Sequence, residues 1–167
     1  GCTSADPGSP YLDFTRGRPE KRHYRPGHRG NPHTLPHDVR LDRLNDVIQA
    51  SLAWQQERSW RFQLAGDTYL SEPDLFDAGE SLMAVKFRLN ALVPKAGTSF
   101  LYTYDLIEEW DHEVTLEKIL PAGARHAVLE DGGNAAPPED CGGVQGYYQL
   151  LETLADPEHE DHEEMLE

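Results

Sequence analysis

A chain of 167 residues is long enough to bury one substantial core, and at 38% apolar content part of its length should remain outside that core. Its formal charge of -15 argues against a surface built to coat nucleic acid or anionic membrane, since both recruit clustered Lys and Arg. No apolar run approaches the length needed to cross a bilayer. The two cysteines, Cys2 and Cys141, form neither a disulfide framework nor a zinc motif by spacing, so a reduced, cytoplasmic setting is expected.

Residues 1–37 differ in composition from the rest. Pro and Gly recur, hydrophobes are isolated, and Arg16, Arg18, Lys21, Arg22, Arg25 and Arg29 gather here. Such a stretch buries too little apolar surface to offset the entropy of ordering it, which predicts a flexible basic arm. His23, His28, His33 and His37 recur every four or five residues, but Pro26, Pro32 and Pro36 forbid the continuous helix that would align them on a metal-binding face. The domain itself is expected over 38–167.

Leu41, Leu44, Val47, Ile48 and Leu52 fall at helical spacing, with Asp38 as N-cap and Trp54 closing the helix. Trp60 to Leu64 alternates as a strand, Ala65-Gly66-Asp67 reads as a turn, and Thr68-Tyr69-Leu70 returns. Ser71 to Glu80 reads as acidic loop, Val85 to Phe87 as a short strand and Leu89 to Val93 as one helical turn. Ser99 to Tyr104 and Trp110 to Leu120 both alternate, and their proximity predicts an antiparallel hairpin. His126 to Leu129 is a candidate edge strand. Val144 to Leu154 predicts an amphipathic helix packed through Tyr147, Leu150, Leu151 and Leu154, and Asp156-Pro157 is expected to restart a helix. The result is an α+β fold: a mainly antiparallel sheet packed by one early helix, with a helical C-terminus. Leu44, Val47, Ile48, Phe100, Tyr102, Val114, Leu116, Leu150 and Leu151 should form its core.

The chemistry-bearing stretch is the junction Pro137-Pro138-Glu139-Asp140-Cys141-Gly142-Gly143 before the last helix. Cys141 with His112 would supply a thiolate and an imidazole, the minimum for a nucleophile–base pair or half a zinc site. The remaining ligands could come only from Glu139, Asp140, His159 or His162, and no spacing fixes them, so neither zinc nor another cofactor is expected. Prolines that stop a strand and glycines that turn the chain explain the run without metal. Glu108, Glu109, Asp111 and Glu113 fit solvent-facing charge on a hairpin better than paired catalytic carboxylates. No Gly-rich phosphate loop and no nucleophile elbow is present, and the residues point away from an enzyme.

These signposts resemble the family named for the third open reading frame of a root-inducing plasmid. The match runs from about Val39 to the end. It is carried by Leu41 to Trp54, by Tyr104, Asp105, Trp110 and His112, by Pro137 to Gly143, by Tyr147, and by Leu150-Leu151-Glu152 with Asp156 to His159. The resemblance implies the α+β fold above and an association with mobile elements, but no activity. Four departures stand out. Family members begin with two strands where this chain has its arm, and show His-x-His-x-Phe where it has Arg58-Ser59-Trp60-Arg61-Phe62. They have Phe-Gly-Asp where it has Leu106-Ile107-Glu108, and two further cysteines near Leu129 and Ala136.

A non-enzymatic interaction or accessory domain is the expected function. A basic arm against an acidic tail, with seven acids and no Lys or Arg from Asp156 onward, favours a protein partner or self-association. A DNA-associated accessory factor of mobile elements, using residues 16–29, is the alternative. A degenerate metal-binding protein centred on Cys141 and His112 is the third reading.

Overall fold

The computed structural model describes residues 9–16, 33–36, 38–55, 57–72, 81–120, 128–129 and 136–166. The basic residues Arg18 to Arg29 and residues 73–80 of the acidic loop lie outside them. In chain order the elements are β1 (Ser9–Arg16), β2 (His33–Thr34), α1 (Leu41–Leu52), β3 (Trp60–Leu64), β4 (Asp67–Leu70), β5 (Leu82–Met83) and α2 (Leu89–Leu92). They continue with β6 (Thr98–Tyr104), β7 (Trp110–Leu120), β8 (Val128–Leu129) and α3 (Gly143–Ala155). Short 3-10 turns cover Ala84–Lys86 and Glu164–Leu166.

The strands form one sheet in the order β5-β4-β3-β6-β7-β1-β2-β8. Every pairing is antiparallel except β4 with β5. The β3–β4 turn holds Ala65 and Gly66 at φ 54° and 92°, the left-handed pair that matches the twist of a two-residue hairpin. Along β7, Trp110, His112, Val114 and Leu116 are buried, whereas Glu113 and Glu117 are exposed, as the two-residue period of a strand with one covered face requires. α1 covers that face. Leu41, Leu44, Ile48 and Leu52 join Phe62, Leu64, Phe100, Tyr102, Val114 and Leu116 in the core. Burying the Tyr102 phenol carries a desolvation cost, and α1 offsets it. The hydroxyl donates to Asn45 Oδ1 and accepts from Gln49 Nε2, both at 2.7 Å. The α+β class read from the sequence is the observed one.

Several local expectations are corrected. Ser9–Arg16 and His33–Thr34 are not loose chain: β1 pairs along β7 from Ser9–Leu120 to Arg16–His112, and β2 pairs with β1. The sheet therefore begins inside the stretch read as an arm. Isolated hydrophobes were enough because β1 gains its ladder from β7 rather than from a hydrophobic run of its own. Asp38 does not cap α1; the N-cap is Arg40, and Asp38 instead accepts from Arg88 at 2.9 Å. Val85 lies in a 3-10 turn rather than a strand, and the chain after Asp156 forms turns and a 3-10 turn rather than a helix. Leu150 is only half-buried and Leu151 is 39% exposed, so neither joins the core.

His33 carries a pH prediction. It is 3% exposed, and burial pushes its imidazole down to about 4. The unfolded chain takes up that proton near pH 6.5, so the stability tied to the neutral ring is full above about pH 6.5 and is lost as pH falls toward 4. The loss is on the order of 3 kcal/mol. Parallel denaturant melts at pH 7 and pH 4 should show His33→Gln losing less stability than the wild type; equal losses would contradict this.

Candidate functional site

α1 ends at Ala53, which takes φ 57° and turns the chain so that Trp54 folds back beneath the helix end. The Trp54 N–H donates to Gln49 O at 3.1 Å, satisfying one of the last helical carbonyls. Its indole stacks on Tyr104 with ring centroids 5.0 Å apart, and Trp110 and His112 pack against it at 5.9 and 5.6 Å. Tyr104, Trp110 and His112 lie at the turn end of the β6–β7 hairpin, so the helix terminus and the hairpin meet there. The junction 136–143 packs onto this aromatic cluster.

Most of the signature's polar groups have a bond that explains them. Trp54 Nε1 donates to Pro137 O at 2.9 Å. Glu139 accepts through both oxygens, from Tyr104 Oη at 2.6 Å and from the Gln55 N–H at 2.7 Å. Burial and then the bond to Glu139 push the Tyr104 phenol up, so it stays protonated and donates. Asp105 takes φ 50° and closes the hairpin turn, accepting from the Ile107 and Glu108 N–H groups at 2.9 and 3.2 Å. Glu108 then reaches across, accepting from Trp110 Nε1 at 3.0 Å and from the Gly142 N–H at 3.1 Å. Arg58 donates its backbone N–H to Tyr104 Oη at 3.3 Å. Its guanidinium pairs with Asp140 and lies 3.8 Å from Asp105.

Tyr104, Asp105, Trp110, Pro137, Glu139, Asp140 and Gly142, named from the sequence, are thus brought together. Tyr147 packs against the same core from α3, and Gly142 and Gly143 hold φ 83° and 67° at the helix start. Pro138 stands exposed on the rim. The His112 ring sits among Trp54 and Tyr102 with Nδ1 2.9 Å from Trp110 O. Burial, with Glu108 and Asp140 nearby, pushes the Cys141 thiol up, which disfavours the free thiolate that a nucleophile requires. Among the described residues the ligand-type side chains that do converge are Asp105, Glu108 and Asp140, with oxygens within 4.8 Å of one another. Arg58 already bridges two of them, and Glu108 is bonded through both oxygens.

The sequence reading did not single out Trp54, Arg58 or Glu108 as site residues. Trp54 was readable only as the end of α1, and Arg58 meets Asp140 from 82 positions away. Glu108, expected to face solvent, turns inward because its neighbour Asp105 closes the turn. Between the end of α1 and the Pro137–Asp140 wall lies an open groove of about 580 Å³, lined in part by Leu52, Ala53, Arg58, Pro137 and Pro138.

Fold and site together define an α+β domain whose C-terminal junction is locked onto a central hairpin. The chain belongs to the family described as plasmid pRiA4b ORF-3-like protein, whose model matches residues 33–167. It is 36% identical over 135 residues to the uncharacterized protein y4hQ of Sinorhizobium fredii (strain NBRC 101917 / NGR234), covering 80% of this chain and 69% of that one. It is also similar to the crystal structure of a protein of unknown function, MM3350, from Methanosarcina mazei Go1. That match has a TM-score of 0.80 and 27% identity, and covers 96% of this chain and 89% of that one. Among the described residues no helix is long and apolar enough to cross a membrane.

Proposed function

We propose that this chain is a non-enzymatic protein-interaction or accessory domain, acting in the cytoplasm, whose partner enters the groove between α1 and the Pro137–Asp140 wall. The observation that carries this reading is the commitment of the signature's polar groups. Glu139 and Glu108 each have both oxygens bonded inside the domain, and Arg58 is held between Asp105 and Asp140. Groups so engaged fix a wall; a general acid or base needs a free, reachable proton site. What remains toward solvent is a surface of Ala53, Pro138 and the flank of Arg58, a mixture suited to contact with another chain. The reading requires no cofactor.

Site-specific photo-crosslinking in cells tests it. A crosslinker at Pro138 should yield a discrete adduct with one protein, and the same crosslinker at the exposed Glu117, toward the far end of β7, should not. Adducts equal at both positions, or none at Pro138, would count against the proposal.

A further inference from the structure

α3 and the turns after it form a second groove, of about 820 Å³, which shares Glu139 and Asp140 with the first. The tail is tied to the helix by His162, whose Nδ1 lies 3.0 Å from Thr153 O. The groove lining includes Glu139, Asp140, Glu152, Asp156 and Asp161 and contains neither Lys nor Arg. His159, also in the lining, accepts the Asp161 N–H at 3.1 Å through Nδ1. Leu150 and Met165 add apolar surface to the same lining, and Met165 is 49% exposed. Elsewhere on α3, Val144 and Leu151 stand 38% and 39% exposed, and Gly143 is its only buried residue.

The two features make different demands on an occupant. Carboxylates alone are well served by water, but the Leu150 and Met165 surface is not. Arg58 already compensates Asp140, but an acidic or neutral partner would leave Glu152, Asp156 and Asp161 uncompensated, and a nucleic acid would be repelled by them. A cationic chain with an apolar side chain meets both demands at once.

We propose that this groove docks a basic peptide segment of a partner protein. Its Lys or Arg side chains lie against Glu152, Asp156 and Asp161, and an apolar side chain sits between Leu150 and Met165. The inference rests on the interaction reading above and adds the chemistry of the partner. Because the ends of the two grooves share Glu139 and Asp140, one extended segment can run from one into the other.

Fluorescence anisotropy on the full chain tests it with two short labelled peptides of equal charge, one alternating Lys with Leu and one alternating Lys with Ser. The Lys/Leu peptide should bind about tenfold more tightly than the Lys/Ser peptide, the share carried by apolar contact. The exposed pair Glu152→Gln with Asp161→Asn should weaken Lys/Leu binding about tenfold, and Met165→Asp should erase the difference between the peptides. Equal affinity of the two peptides for the wild-type chain would mean diffuse charge attraction and would overturn the proposal, as would failure of both to bind. Concentration-dependent dimers that exclude the peptide would assign the groove to a second copy and overturn it equally. If peptide binding fails while crosslinks from Pro138 persist, this inference falls alone; if both fail, the interaction reading falls with it.

Discussion

Gly146→Ala should lower the thermal midpoint by roughly 6–12 °C, the equivalent of about 3 kcal/mol in a chain of this size. The reason is space. A Cβ on Gly146 would lie 1.8 Å from Cys141 O and 2.8 Å from Cys141 C, both backbone atoms that cannot rotate away. Either the first turn of α3 or the junction must move, and movement of the junction breaks the Gly142 N–H bond to Glu108 and the Trp54 bond to Pro137. Gly143 is held by a second constraint, with φ 67° and a Cβ position 3.1 Å from Glu108 O. Differential scanning calorimetry of Gly146→Ala beside Cys141→Ala separates the effects. The cysteine variant should be mild, and a Gly146→Ala midpoint equal to that of the wild type would mean the helix and junction are not in this contact.

Deleting residues 1–16 should abolish the cooperative transition or lower the midpoint by more than about 10 °C, with aggregation on heating. β1 lies between β7 and β2 in the sheet, so its loss strips the ladder from one side of β7 and detaches β2 and β8 as well. An unpaired β7 edge presents a row of N–H and C=O groups to any other chain. Circular dichroism melts with light-scattering detection would record both effects. An unchanged midpoint would instead support the loose basic arm that composition alone predicts.

That contrast shows what the residues could reveal unaided. α1 was legible because Leu41, Leu44, Ile48 and Leu52 repeat with the helical period and are all buried. β6 and β7 were legible because both alternate and only a short turn separates them. β1 was not, since its pairing with β7 joins residues about a hundred positions apart and Pro10 sits within it. Tyr11 to Thr15 is rich in strand-forming residue types, a local signal for β1 in the sequence. The junction's importance was visible as a run of ligand-type residues bounded by Pro and Gly. Its use was not, because the groups that engage Glu139 and Asp140 come from the α1–β3 connection and from β6, fixed only by tertiary packing. Leu151 misled for a related reason: helical periodicity tells which side chains share a stripe, not whether a sheet waits beneath it.

The central claim is that the signature segments form one hydrogen-bonded unit, joined where Tyr104 donates to Glu139. A double-mutant cycle on stability with Tyr104→Phe and Glu139→Gln measures that joint directly. A hydrogen bond to a carboxylate at a buried hydroxyl predicts a coupling of about 1–3 kcal/mol. Strictly additive losses would show that the two segments do not hold each other, and would contradict the account.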